Sequence, residues 1–530
     1  MMNQNQAGSP EKPLTDVNTT DLKDAVRLGC QVMGSVFNPE DRYAPYFGVT
    51  AWPEPSLRFS GSYTDAHVPG RHLNALLNAE DALGITVPEE VIERHAQAAF
   101  RSYSGAAPLP LNRRQPGAEV PTRFVIHNVR EGFHALCALA KYRNSKPARD
   151  LAERSIAAIR QYWDPSGWHR EQIEAMGLEF HSSPFIMGLA RALGPLVKYH
   201  RATGSAPALE LARMLAQKIT AEFFTADGLY DINRFGSHIH STTCVMSSLA
   251  QLADLDGDAG LIERVKTFYD RGLRELRDDI GWSIECSDIG VYPDRGEGNN
   301  TGDILETALI LGRRGHAGCW DDAERILRAH LLPSQLRDVS WIPEARNPEG
   351  VDGKRNVAAR LKGSWGFPAP YGHRPVGQTR IDFNTDIVGG AVGSLCEAWR
   401  EAVRSDEKGH RVNLLFDRDT EAVRVESPYT GGALRVTVKR PGPLAVRIPG
   451  WVPREQVRVE NAGAAPVRWE GAWLVADQPG TGATVLIKFP LVEQSLVLHH
   501  RTREIRCRLR GDEVVAMDHF GTGFAFFEPL

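Results

Sequence analysis

The stretch Gly302–Leu336, GDILETALILGRRGHAGCWDDAERILRAHLLPSQL, reads as two linked helices, with Glu306 at the start of the first. A second stretch, FNTDIVGGAVGSLCEAW over Phe383–Trp399, puts Asp386 at the start of another helix. A carboxylate at a helix start serves as a cap, as a metal ligand or as an acid–base group. Spacing alone favours caps for both. Asp303-x-x-Glu306 has the form of a capping box, and Asp386 precedes an apolar face made of Ile387, Ala391, Leu395 and Trp399.

Outward from these stretches, the 3.6-residue period extends from about residue 21 to residue 405. It is clear in 148–163, 207–224 and 242–255. The connecting loops are long and rich in Gly, Pro, His and Trp, the places where sites are usually built on a regular scaffold. Roughly a dozen paired helices predict an (α/α)-barrel. Near Gly409 the period drops to two. RVNLLF, AVRVES, ALRVTVKR, LAVRIPGW, TVLIKFPL and EIRCRL are short strand-like runs, which predict a β-sandwich over 409–530. The expected layout is a disordered segment over 1–20, a helical catalytic domain over 21–408 and the β domain after it.

With 530 residues, 42% hydrophobic and 24% charged, the composition is that of a soluble globular chain of more than one domain. A net charge of -4 gives no electrostatic case for nucleic acid or an anionic membrane. Seven scattered cysteines without a CxxC pair fit a reducing compartment. The polar N-terminus has no signal-peptide pattern, and no run reaches the roughly 20 apolar residues of a membrane span. A cytoplasmic enzyme without a cofactor, with a homodimer as a candidate assembly, is the expectation. Gly-rich phosphate loops, GxSxG and HExxH are absent from the sequence.

Polar residues interrupt the helical pattern at recurring places. His127, Glu131 and His134 share one helix face, Glu179 and His181 precede another helical run, and His238 and His240 precede a third, with Ser241 or Thr242 as its expected cap. The HxH pair lacks a third metal ligand at a convincing spacing. The loop 281–303 gathers Glu285, Asp288, Asp294, Glu297 and Asp303. A solvated acidic loop and a site loop fit it equally. The loop 365–386, with Trp365, Tyr371 and His373, reads either as a lid or as an interdomain connection.

Together these segments resemble the bacterial β-L-arabinofuranosidase superfamily over nearly the whole chain. GRHLNALLNAEDALG places His72, FVIHNVREGFHALCAL places His127, LEFHSSPFIMGLA places Glu179 and His181, and FGSHIHSTT places His238. LAVRIPGW and RGDEVVAMD are similar to the C-terminal signature. The resemblance implies an (α/α)6 barrel followed by β-sandwich structure, and a retaining glycosidase with a histidine-lined sugar site. That superfamily carries a Glu-Thr-Cys motif and a Cys-Cys pair that bind zinc, one cysteine being the nucleophile. Here the first looks like Glu306-Thr307-Ala308 and the second falls near Asp386-Ile387, so the thiolates are gone and no metal is expected.

The expectation is therefore carboxylate catalysis releasing a terminal sugar from a small carbohydrate. Asp386 would act as nucleophile or base, Glu285 as acid with Asp288 next, and Glu306 would support them. His72, His127, Glu179, His181, His238, His240, Trp365 and Tyr371 would bind substrate. Two alternatives remain. One is a uronic-acid hydrolase or lyase using Arg58, Arg71, Arg123 and Arg380; the other is a carbohydrate-binding protein without catalysis.

Overall fold

The computed structural model describes residues 13–288, 293–463 and 466–530. Twelve helices, alternating outer and inner, build the larger part. The outer ones are α1 (Leu22–Ser35), α3 (Glu89–Ser102), α5 (Lys146–Tyr162), α7 (Ala206–Glu222), α9 (Ala259–Arg271) and α11 (Gly318–Arg325, continued by a π-turn to Leu331). The inner ones are α2 (Val68–Leu83), α4 (Val129–Tyr142), α6 (Leu193–Thr203), α8 (Ile239–Asp256), α10 (Gly298–Arg313) and α12 (Asp386–Ala402). Each inner helix packs on the next, and α12 closes the ring on α2. This is an (α/α)6 barrel.

Sequence explains the alternation. Outer helices are amphipathic: α5 buries Leu151, Ala152, Ile156 and Ile159 on one face. Inner helix α8 is buried from Ile239 through Ala253, as a helix wrapped on all sides must be. The inner-to-outer turns are tight. Gly204 and Gly257 adopt left-handed backbone at the ends of α6 and α8, and Ser205 and Asp258 then cap α7 and α9. The outer-to-inner connections are long and gather at the opposite end, over the N-termini of the inner ring.

Two five-stranded sheets follow. One, ordered β1-β2-β6-β9-β8, comprises Val403–Asp406, Gly409–Val412, Leu444–Arg447, Trp473–Ala476 and Arg468–Glu470. The other, ordered β3-β4-β5-β10-β7, comprises Arg418–Asp419, Val423–Glu426, Leu434–Val438, Thr484–Lys488 and Arg458–Glu460. Their inward residues, among them Val412, Val425, Val436, Val446, Leu474 and Ile487, form one core separate from that of the barrel.

The expected layout needs two corrections. The last sheet, β11 (Glu493–Val497), β12 (Arg506–Arg510) and β13 (Glu513–Met517), does not join that core. Its Cys507, Leu509, Val514 and Met517 pack into the barrel core together with Phe526 and Phe527. The expected disorder over 1–20 falls partly outside the described residues, at 1–12. Beyond them the chain is strapped down: Leu14 N donates to Ala525 O at 2.9 Å, Asp16 pairs with Arg337, and Thr19 bonds Glu513. Among the described residues no helix is long and apolar enough to cross a membrane.

Candidate active site

All six inner helices point their N-termini at one place, and none of the residues preceding them uses its side chain as a cap. His67, Asn128, Ala192, His238, Glu297 and Thr385 occupy those positions, each without a side-chain cap hydrogen bond. Outer helices α1, α5, α7 and α9, by contrast, are capped by Asp21, Ser145, Ser205 and Asp258. The mouth of the barrel thus collects the positive ends of the inner helices. Carboxylates are stabilised there while their side chains remain available for other partners.

Asp386 is the first residue of α12. The strand Ile381–Asn384 pairs with Gly48–Trp52, and Thr385 is pinned by its N–H to Phe47 O (2.8 Å) and its hydroxyl to Tyr46 O (2.6 Å). Asp386 Oδ2 then lies 3.2 Å from His67 Nε2 and 3.9 Å from Arg71 Nε. Burial pushes this carboxyl up, but His67 and Arg71 outweigh it and hold Asp386 below its ordinary value.

Glu297 precedes α10 and is fixed from both sides: its N–H donates to Ser283 O, and that of Gly298 to Gly366 O. Asn299 Nδ2 donates to Glu297 Oε1 at 2.8 Å and reaches Asp386 Oδ2 at 3.5 Å. One amide nitrogen therefore spans two carboxylates. Burial, reinforced by the nearby charges of Glu285 and Asp386, raises Glu297 to about 8. Two adjacent carboxyls are driven apart, one kept ionised and the other protonated near neutrality.

Around this pair, Glu131 is buried between Arg191 (2.9 Å) and Arg130 (3.0 Å), with His67 Nδ1 at 3.5 Å. Burial opposes its ionisation, yet Arg191, His67, Arg130 and Arg71 hold it well below the carboxylate range. His67 Nδ1 also lies 3.0 Å from Asn128 Oδ1, so both ring nitrogens face oxygen acceptors. His67 and His127 stack with centroids 5.7 Å apart; His238 is 5.4 Å from His127 and 5.8 Å from His240. Tyr63 closes the wall beside His67 and His127. Burial lowers His127 well below its ordinary value and takes His238 to about 4, which leaves a neutral, partly exposed imidazole platform.

The expected site residues fare differently. Asp386, His127 and His238 are in the mouth, and His240 lies behind Glu297, its Nδ1 3.6 Å from Glu297 Oε1. Glu285 sits at the rim, paired with Arg295 at 2.6 Å, and burial raises it. Asp288 is exposed beside the undescribed residues 289–292.

Glu306 does not stand at a helix start. Helix α10 begins at Gly298 rather than near Asp303, so Glu306 lies two turns inside it, bonded to Ser247 at 3.1 Å on the side away from the mouth. There is no capping box, and α8 starts at Ile239, ahead of Ser241 and Thr242. His72 is fully buried behind the site, its Nε2 donating to Thr385 O. Trp365 and Tyr371 are core residues, bonded to Leu331 O and Asp294. They are neither lid nor subsite wall. Glu179 and His181 pair with each other at 2.7 Å, and Glu179 also with Arg114 and Arg123.

His67, Asn299 and Glu297 stand in the site without a sequence signal that marks them. His67 and Asn299 precede or open helices with no flanking signal, and Glu297 is one of five acids in its loop. The arginine clamp does not form. Arg71 alone enters the site, while Arg58, Arg123 and Arg380 bond Thr50, Glu179 and Asp382.

The zinc of the β-L-arabinofuranosidase superfamily does not fit. Glu297, Asn299 and Asp386 surround the place, and the thiol of Cys244 turns its hydrogen to Ser241 O. His238, His240 and Glu297 bring ligand atoms within 4.8 Å of one another, as do His240, Cys244 and Asp303. However, Arg71 Nη2 donates to His240 Nε2 at 2.9 Å, which leaves the ring proton on Nδ1, facing Glu297. In the second set Asp303 has Arg130 at 3.8 Å and Cys244 is raised by burial. Guanidinium groups already occupy both positions with positive charge.

The sequence matches no protein-family profile and no curated protein. Solved structures do match. A GH127 β-L-arabinofuranosidase from Geobacillus stearothermophilus T6 superposes with TM-score 0.55 at 14% identity, over 93% of this chain and 80% of that one. A second GH127 β-arabinofuranosidase gives 0.57 at 13%, over 95% and 85%. A structure described as a glycoside hydrolase gives 0.55 at 11%, over 91% and 84%. The chain has the fold of these enzymes, and the resemblance to their superfamily holds at that level.

Proposed function

We propose that the protein is a glycoside hydrolase working with two carboxylates and no metal. The carrying observation is the Glu297–Asn299–Asp386 arrangement, in which one amide spans a protonated and an ionised carboxyl at the convergence of six helix N-termini. Glu297 donates a proton to the leaving glycosidic oxygen. Asp386 attacks the anomeric carbon, and water later releases the sugar with Glu297 acting as base.

The spacing favours retention. Contacts of 2.8 and 3.5 Å through one nitrogen keep the facing oxygens no more than about 6.3 Å apart, short of the ~6.5–9.5 Å that an inverting enzyme needs for water between its carboxyls. The stacked histidines and Tyr63 form the sugar platform. We read the two five-stranded sheets as a β-sandwich appended to this catalytic barrel. The sugar is a terminal one, with L-arabinofuranose among the candidates because structures with that activity share the fold.

Leaving-group dependence tests the assignment. With the acid removed, Glu297→Gln should lose 10²–10⁴-fold on a glycoside with a poor leaving group and far less on one whose aryl leaving group needs no proton. Equal loss on both would assign the acid elsewhere, with Glu285 next in line.

A further inference from the structure

Glu306 lines a cavity that the catalytic reading leaves unused. At the end of the barrel away from the mouth, the C-terminal halves of all six inner helices enclose about 220 Å³, the share of roughly seven liquid waters. A throat of about 20 Å³, between Asp303 and Glu306, separates this space from the mouth. Its polar groups are poorly matched. Lys198 makes no ion pair among the described residues, and Glu306 engages Ser247 and Gln251 through only one carboxylate oxygen. Gln251, 8% exposed, leaves its Oε1 unbonded, and both ring nitrogens of His134, 4% exposed, are unbonded where it lines the throat. The buried Gln251 and His134 require partners. Ala138, Leu309 and Ile310 supply an apolar wall on the same cavity.

We propose that this cavity is a second ligand site, which takes an uncharged polyhydroxylated molecule of monosaccharide size. The unspent groups are mixed in kind: an ammonium donor at Lys198, a carboxylate acceptor at Glu306 and an amide acceptor at Gln251. Hydroxyl groups, which donate and accept, satisfy all three at once, while a ring's C–H face covers the apolar wall. An anion would suit Lys198 but face Glu306, and also Glu397 and Glu401 of the same lining. Of the other basic side chains, Arg201 pairs with Asp254, Arg313 with Asp254 and Glu401, and Lys141 Nζ donates to the Tyr142 hydroxyl at 2.8 Å. This assignment stands independently of the hydrolase reading, since the far end shares no side chain with the Glu297–Asp386 pair.

Calorimetric titration of the full chain with L-arabinose, D-galactose and D-glucose, and separately with inorganic phosphate, tests it. Asp386→Asn is the background, compared with the same protein also carrying Lys198→Gln or Glu306→Gln. Both added changes preserve side-chain size, and each is an independent test if the other fails to fold. At least one sugar should bind, and either far-end substitution should weaken that binding at least tenfold, with phosphate inert. Three results would each overturn the proposal. These are sugar binding unmoved by both substitutions, no sugar bound with a dissociation constant below about 10 mM, or binding of phosphate in place of sugar.

Discussion

At the scale of single residues, the protonation split between Glu297 and Asp386 makes predictions about pH. Glu297 must be protonated to act as acid, so activity should fall as pH rises through about 8, and Glu297→Gln should abolish that limb of the rate profile. The same shift enters stability. Its folded value is raised above the unfolded one, so the native state holds the extra proton between the two. The contribution is complete below the unfolded value of about 4.3 and is lost as pH rises towards 8. Thermal unfolding of Glu297→Gln across pH 5–9 should show a flatter dependence than the unsubstituted protein; identical slopes would count against the raised carboxyl. Glu131 poses the opposite case. Replacing it with Ala strands Arg130 and Arg191 in the interior, and denaturant unfolding should report a loss of about 3–5 kcal/mol.

At the scale of elements, close helix packing sets the mouth. A Cβ on Gly70 of α2 would lie 1.8 Å from Glu131 O of α4, a backbone atom that cannot yield. Gly70→Ala should therefore cost at least about 1–3 kcal/mol and depress activity by moving His67 and Arg71. Gly393→Ala on α12, whose nearest neighbour is Asn74 Nδ2 at 3.9 Å, is the matched control and should change the melting temperature little. The helices themselves were legible from their period. Their starts were less so. Asp386 could be placed because the apolar face of Ile387, Ala391, Leu395 and Trp399 begins directly after it. The start of α10 was misjudged because GNNTG, poor in helix formers, forms its first turn, held by Asn300 Nδ2 to Ile284 O and Thr301 Oγ1 to Gly281 O. Tertiary bonds overrode propensity, and in the proposed mechanism the acid role expected of Glu285 passes to Glu297.

At the scale of the whole molecule, barrel and sheets are joined by buried charge. Glu324 of α11 lies between Arg328 and Arg447 of β6, and both its oxygens accept from Leu415 N–H. The change of period near residue 409 revealed the β region, but not that its last sheet returns to the barrel. Alternating strands look alike wherever their apolar face is buried. A chain ending at residue 489 would lose Cys507, Leu509, Val514, Met517, Phe526 and Phe527 from the barrel core and should unfold cooperatively at lower temperature, if it folds at all. What unites these scales is the ring of inner helices whose N-termini, uncapped by their own side chains, hold two carboxyls of opposite protonation. The most direct test takes a glycoside that the protein hydrolyses and whose poor leaving group needs protonation, and compares the wild type with Asp386→Asn and Glu297→Gln under single-turnover conditions. Loss of 10²-fold or more in both, with the wild type releasing sugar of retained anomeric configuration, is the predicted result. Hydrolysis undiminished in Asp386→Asn would contradict the account.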